Sequence, residues 1–230
     1  MRIESHPGHS FSYVGFNLKS PVLSNLQVRK ALVRSLPVHD WAHLKLFDWV
    51  TPLPKASEYA PRESESLLDQ AGFPRKSGGI RFSLHYYTTP VREGHELASL
   101  VAEALGRIGV ELRITTVETS LFYSKLLHRD FDLFSTRWIR FSENDSIQNL
   151  LATHGKLNYT GYSNPELDRR LEGKSVSFQE VRELVAQEIP FYPVYQWKHA
   201  AILGPRIDAD PETASRLDET FRFLSDLRLK

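Results

Sequence analysis

The chain has 230 residues, of which 41% are hydrophobic, 25% charged and 11% aromatic, and it contains no cysteine. This length and composition predict one ordinary domain, or at most two small ones, and exclude disordered, collagen-like and coiled-coil chains. The lack of cysteine excludes disulfides, thiolate nucleophiles and cysteine-based metal sites. The net charge of +1 argues against direct nucleic-acid binding, and no apolar run approaches the ~20 residues of a membrane span.

The N-terminal region begins with polar residues. Residues 1–12 show neither the apolar stretch nor the cleavage site of a signal peptide, and we expect them to form a polar leader. Residues 13–17 predict a short buried strand. Residues 38–55 are aromatic and contain two prolines, which favours extended structure there.

The first helix is predicted over residues 26–36. Asn25 is its expected N-cap, because a short polar side chain can accept a hydrogen bond from the first helical turn. Apolar residues fall on one face of this helix. We interpret Arg29, Lys30 and Arg34 as its solvated face.

A second helix is predicted to begin at Pro61, since proline suits the first helical position. Leu67, Leu68 and Ala71 form its apolar stripe. Gly72 suits a left-handed residue after the helix end.

The middle of the chain alternates predicted strands and helices. Ile80, Phe82, Leu84 and Tyr86 alternate with more polar neighbours, which is the period-2 pattern of a strand. The predicted elements are strand 80–87, helix 97–108, strand 111–117, a helix capped by Thr119 or Ser120, and strand 131–136. Connections of this length imply parallel strands, so the predicted fold class is α/β with an open sheet.

The C-terminal third is less regular. Asn164 and Pro165 predict the start of a helix, as N-cap and first helical residue. Pro190 and Pro193 place an aromatic strand at a sheet edge or a bulge. The predicted elements are helices at 144–151, from 164, and at 177–188, a strand at 189–197 with a continuation or partner at 200–203, and a charged segment from 208.

Known catalytic and cofactor motifs are absent from the sequence. His39 and His43 share the spacing of two zinc ligands, but no third ligand is evident, so we expect no metal. There is no nucleophile elbow, dinucleotide fingerprint or phosphate-binding loop. We therefore expect neither a cofactor nor enzymatic activity.

The most suggestive stretch for ligand binding follows the third strand of the middle region. Trp138 lies between Arg137 and Arg140, which offers an apolar plate beside cationic donors. Ligands of open α/β sheets bind beyond the carboxyl ends of the strands. The alternative is that Trp138 is a core residue and both arginines are solvated.

Six short motifs follow one another along the chain: YVGFN at 13–17, VRKAL at 28–32, LLDQAGF at 67–73, FDLF at 131–134 followed by Trp138, NYTGYSNPELD at 158–168, and IPFYPVY at 189–195. In sequence and in order, these motifs resemble the C-terminal lobe of bacterial extracellular solute-binding proteins of family 5. These are the oligopeptide-, dipeptide- and nickel-binding subunits of ABC importers.

The resemblance implies a periplasmic-binding-protein-like lobe, an open mixed sheet flanked by helices, over residues 13–205. The charged segment 206–230 would pack back on it. The implied function is non-catalytic binding of a peptide or another small molecule, with a second lobe and an ABC permease as partners. The implied ligand-binding residues are Arg137, Trp138, Arg140, Phe141, Glu143, Asn158 and Tyr159.

One position departs from the family pattern. Peptide binders have an aspartate three residues after the motif tryptophan, where it receives the peptide's amino group, and this chain has Phe141 there. Glu143 and Asp145 offer carboxylates at a different spacing. If the amine anchor is lost, zwitterionic di- to pentapeptides should not bind.

Two other functions remain open. The chain would serve as a metabolite-sensing domain if it resembles the bacterial transcriptional regulators that carry this module in the cytoplasm. It would form a homodimer if the lobe is an interaction module, because an isolated lobe exposes apolar surface. A transporter-type protein would instead be periplasmic.

Overall fold

The computed structural model describes residues 2–44, 50–52, 58–139, 147–173, 177–208 and 228–229. Its main sheet has six strands in the order β2-β6-β1-β5-β3-β4. The strands are β1 (Arg2–Phe16), β2 (Val50–Pro52), β3 (Phe82–Thr88), β4 (Val110–Thr116), β5 (Leu133–Trp138) and β6 (Phe191–Leu203). A separate ribbon pairs β7 (Ile207–Asp208) with β8 (Arg228–Leu229).

The sheet is mixed, as its strand directions show. β3 pairs in parallel with both β4 and β5, which confirms the parallel strands predicted for the middle of the chain. β1 is antiparallel to its two neighbours, β5 and β6. The predicted α/β class with an open sheet is therefore confirmed. Ile80 lies outside β3 and is exposed, so that strand begins two residues later than expected.

Seven helices and one short 3-10 turn (Asp40–His43) occupy the described ranges. The helices are α1 (Leu26–Arg34), α2 (Pro61–Gln70), α3 (Arg92–Arg107), α4 (Thr119–His128), α5 (Gln148–Leu151), α6 (Pro165–Glu172) and α7 (Phe178–Glu188). Within those ranges, no helix has both the length and the apolar character that crossing a membrane requires.

Several helix ends follow from the sequence. Asn25 and Asn164 accept backbone hydrogen bonds at the starts of α1 and α6, as predicted. The predicted cap of α4 is wrong by one residue. Its N-cap is Glu118, whose carboxylate accepts a 2.9 Å hydrogen bond from the Ser120 amide, because a carboxylate suits the positive end of the helix.

β1 is much longer than the five-residue strand predicted at 13–17. It begins at Arg2, because the backbone of residues 2–7 pairs with residues 198–203 of β6. Most of the expected polar leader is thus part of the sheet. The register of the β1–β6 pair shifts between Ser12 and Tyr13, where Pro193 lies opposite Tyr13. This irregularity confirms the bulge expected at a proline within the aromatic strand.

Two hydrophobic clusters lie on opposite faces of the sheet, because neighbouring strand residues point to opposite sides. Val14 and Leu133 belong to one cluster, with α1, α2 and α3. Tyr13 and Phe134, their sequence neighbours, belong to the other, with α4, α6 and α7. Helices thus cover both faces, as expected for an open mixed sheet flanked by helices.

Arg29 is buried rather than solvated, which corrects the interpretation of α1. Its side chain is only 5% exposed. The guanidinium donates hydrogen bonds to four main-chain oxygens, those of Leu23 (2.8 Å), Ser24 (3.0 Å), Glu188 (2.6 Å) and Ile189 (2.9 Å). Arg29 therefore joins the start of α1 to the end of α7, which the sequence places about 160 residues away.

Burial lowers the pKa of Arg29, and the negative charge of Glu188 partly offsets this shift. The guanidinium remains charged at neutral pH, because arginine is not deprotonated in proteins. Its four acceptors are carbonyl oxygens that would otherwise be buried or partly buried without a donor. Arg29 thus stabilises the contact between α1 and the end of α7.

We expect Arg29→Met to destabilise the protein by roughly 3 kcal/mol, because it leaves several carbonyl oxygens without donors. Urea denaturation followed by circular dichroism measures this loss. Lys30→Met is the matched control, since Lys30 is the next residue in α1 and is partly exposed, and it should change stability by less than about 0.5 kcal/mol. Equal losses in the two variants would contradict the role assigned to Arg29.

Candidate functional site

A cleft of about 380 Å³ opens where β3 and β5 end and α3 and α4 begin. This is the carboxyl edge of parallel strands, where open α/β sheets bind ligands. Its walls also include residues of β1 and β6. The lining residues are Ser12, Thr89, Val91, Glu93, Gly94, Leu97, Thr119, Tyr123, Ser135, Thr136, Arg137, Tyr195 and Trp197.

Strand register explains why the sheet residues of the cleft face the same side. Ser12 in β1 lies opposite Arg137 of β5 and opposite Tyr195 of β6. Residues opposite one another on adjacent strands point to the same face, and so do residues two apart on one strand. Ser135 and Trp197 therefore join this face, on the same side of the sheet as α3.

The cationic group of the cleft is Arg137. Its guanidinium carbon lies 4.3 Å from the ring centroid of Trp197, a cation–π contact. The Trp197 indole is itself fixed, because its Nε1 donates a 2.9 Å hydrogen bond to the Ser12 hydroxyl. Partial burial lowers the pKa of Arg137. The stacked arrangement holds the planar guanidinium at the wall of the cleft.

Three buried hydroxyls near the cleft make no hydrogen bond of good geometry within the described part of the chain: those of Tyr86, Thr88 and Ser135, of which the first and last lie near each other. Burial raises the pKa of Tyr86, and the nearby Ser135 hydroxyl partly offsets that shift. Ser135 also lines the cleft. Buried polar groups are seldom left unsatisfied, so the closeness of the Tyr86 and Ser135 hydroxyls favours a contact between them beneath the floor of the cleft.

The α3 wall approaches the end of β3 closely because residue 94 is glycine. A Cβ atom at Gly94 would lie only 2.7 Å from the Thr88 hydroxyl oxygen. The close approach brings the first turn of α3, including Glu93, to the cleft. Tyr195 of β6 also lines the cleft, and burial raises its pKa to about 12. Tyr195 is therefore neutral at pH 7.

The structure separates two neighbouring residues that the sequence grouped together. Arg137 lines the cleft, whereas Trp138 points to the other face, because side chains alternate along β5. Trp138 is 6% exposed, and its ring packs edge-on against Phe11 with centroids 5.0 Å apart. The structure thus places Trp138 in the core, the alternative noted for it from the sequence.

Asn158 and Tyr159 are also found away from the lining of the cleft. The buried Asn158 amide donates hydrogen bonds to the carbonyl oxygens of Ala152 and Tyr162 and accepts one from the Tyr162 amide. It braces a loop. Tyr159 packs near Tyr123, a residue that does line the cleft.

The remaining residues of the predicted site, Arg140, Phe141 and Glu143, lie outside the described residues, and their roles stay predictions. In the residues that are described, no group of three or more histidine, aspartate or glutamate side chains is arranged to hold a metal ion.

Sequence reasoning missed several residues of the cleft. Tyr195 and Trp197 fall within the aromatic strand predicted at 189–197, but nothing in that prediction directs them to a ligand. Ser135 was identifiable from the alternation of β5, which puts it on the face of Arg137. Glu93 carried no such signal, because its place in the cleft depends on how α3 packs against the sheet.

Comparisons with known proteins identify the family of the chain that contains this cleft. Residues 1–157 match the family described as bacterial extracellular solute-binding proteins, family 5 middle. The oligopeptide-binding protein AppA of Bacillus subtilis (strain 168) is 25% identical over 226 residues, which cover 81% of this chain and 41% of AppA.

Solved structures share the fold. HbpA2 from Haemophilus parasuis superposes with a TM-score of 0.79 at 18% identity, covering 100% of this chain and 50% of HbpA2. The dipeptide-binding protein from Pseudoalteromonas sp. SM9913, in complex with Met-Leu, superposes with a TM-score of 0.71 at 19% identity, covering 100% of this chain and 50% of that protein. These matches confirm the periplasmic-binding-protein-like fold. The chain spans about half the length of these proteins.

We expect Ser135→Ala to leave the stability of the unliganded protein unchanged or to raise it by about 1 kcal/mol, because it removes a buried hydroxyl that makes no hydrogen bond of good geometry. Ser35→Ala is the control. The buried Ser35 hydroxyl donates a 2.7 Å hydrogen bond to the Leu32 carbonyl oxygen, and its loss should cost about 1 kcal/mol. Urea denaturation compares the two, and a similar loss in both variants would show that Ser135 is satisfied within the protein.

Proposed function

The chain belongs to the bacterial extracellular solute-binding proteins of family 5, and we propose that it forms one lobe of a binding protein that delivers peptides to an ABC importer. The role is non-catalytic. The ligand binds in the cleft at the ends of β3 and β5, and a second lobe closes over it. In this role the protein works in the periplasm.

The observation that carries this proposal is the cleft itself. It combines a stacked arginine, Arg137, with a carboxylate, Glu93, at the edge of the sheet where ligands bind. A binding site needs a concave surface with a few well-placed polar groups, and this cleft supplies both.

Peptides are the favoured class of ligand for two reasons. AppA is named for oligopeptide binding, and the Pseudoalteromonas protein was solved with a dipeptide. The volume of about 380 Å³ lies near the lower end of the range for ligand pockets, which suits a small ligand such as a dipeptide.

The alternatives that the sequence left open gain no comparable support. The relatives described above are named for binding, which favours a transporter-type protein over the sensor domain of a regulator or a dimerisation module. The same relatives support a non-catalytic role over an enzymatic one.

We expect Thr119→Trp to weaken Met-Leu binding at least tenfold, because Thr119 is an exposed residue that lines the cleft and an indole there would occupy the ligand's space. Isothermal titration calorimetry with Met-Leu measures the change. The matched control is Ser124→Trp, which adds the same side chain to an exposed position of α4 away from the lining. It should leave the affinity within twofold.

Thermal unfolding checks that both variants fold. Equal affinities in the two tryptophan variants would place the binding site elsewhere on the lobe. Failure of the unmodified chain to bind Met-Leu would count against a dipeptide ligand.

A further inference from the structure

Two opposite charges face the cleft from different elements. Glu93 lies in the first turn of α3, and Arg137 lies in β5. Neither has an oppositely charged partner at ion-pair distance within the described residues. The cleft thus presents an anion and a cation that do not neutralise each other directly.

Glu93 differs in this respect from the other carboxylates of α3. Glu96 pairs with Arg92 at 2.7 Å, and Glu103 pairs with Arg107 at 2.6 Å, both one turn apart on the helix surface. Glu93 is partly buried and turned towards the cleft instead. A position in the first turn suits an acidic residue, but that preference does not explain its place in a cavity wall.

Building on the peptide-binding role proposed above, we propose that Glu93 accepts the ammonium group of a zwitterionic ligand and that Arg137 binds its carboxylate. The two side chains then determine specificity, because a ligand that lacks either charge leaves one of them unpaired in the cleft.

The surroundings of Arg137 suit a carboxylate. Its guanidinium stacks on Trp197, and a stacked guanidinium still has its N–H groups free at the edge of its plane for a bidentate hydrogen bond. The guanidinium thus offers a pair of donors held in a fixed plane at the wall of the cleft.

The charge of Glu93 acts across the cleft. Burial lowers the pKa of Arg137, and the negative charge of Glu93 opposes that shift. Burial raises the pKa of Tyr195 to about 12, and the charges of Glu93 and Glu96 add to the effect. Of these two carboxylates, Glu93 lines the cleft, where it favours an ammonium group on the α3 side.

This assignment opposes the expectation drawn from Phe141. The resemblance places the amine anchor three residues after Trp138, where this chain has no carboxylate, and so implies that zwitterionic peptides do not bind. Glu93 supplies a carboxylate from a different element. The two hypotheses make opposite predictions for a dipeptide with free termini.

The test compares three forms of one dipeptide on the whole chain by isothermal titration calorimetry: Met-Leu, N-acetyl-Met-Leu and Met-Leu amide. We expect each blocked form to bind at least tenfold more weakly than Met-Leu, since each loses a charge-assisted hydrogen bond. Glu93→Gln should bind Met-Leu about tenfold more weakly and no longer distinguish it from the acetylated form. Arg137→Gln should instead lose the distinction from the amide.

Glu103→Gln is the matched control, because it removes a charge from the same helix away from the lining of the cleft, and it should behave like the unmodified protein. Equal affinity for all three forms would overturn the charge assignment and leave the binding role intact. Retained discrimination against the acetylated form in Glu93→Gln would assign the ammonium group to another residue. Absence of binding by every form would overturn both proposals.

Discussion

The cleft depends on the position of β1 between β5 and β6. Through this strand, Ser12 comes opposite Arg137 on one side and Tyr195 on the other, and it hydrogen-bonds to Trp197, which is 185 positions away in the sequence. The packing of β1 on β5 also requires glycine at position 15. A Cβ atom there would lie 2.2 Å from the ring of Phe134, which is fully buried and has little room to move.

Much of the fold could be predicted from the sequence, because its signals are local. The alternation of β3 and the caps Asn25 and Asn164 depend on residues close together in the chain, and the order of short motifs was enough to identify the family. The role of Arg29 could not be predicted in this way. Its acceptors lie at the end of α7, so a charged residue that suits an exposed helix face proved to be buried. The prediction of where β1 begins failed for a similar reason, because residues 2–7 pair with residues 198–203 of β6, far away in the sequence.

The candidate site was predictable in part. The sequence pointed to β5 and to Arg137, which borders the cleft, but it grouped Arg137 with Trp138 although adjacent strand residues point to opposite faces. Applying the period-2 rule to β5 would have paired Arg137 with Ser135. No such rule could have added Glu93, because its position depends on the contact between Gly94 and Thr88, residues whose proximity arises from the packing of α3 on the sheet.

The long pairing between β1 and β6 has a consequence for how the chain reaches its folded state. Arg2 of β1 pairs with Leu203 of β6, about 200 residues later in the chain, so this partner strand is made well after β1 itself. Contacts between such distant segments slow folding, because closing a long loop costs entropy before the pairing repays it. For a protein with the exported role proposed here, such slow folding is an advantage. In that role, a chain whose central sheet forms late would still be extended when it reaches a translocation channel.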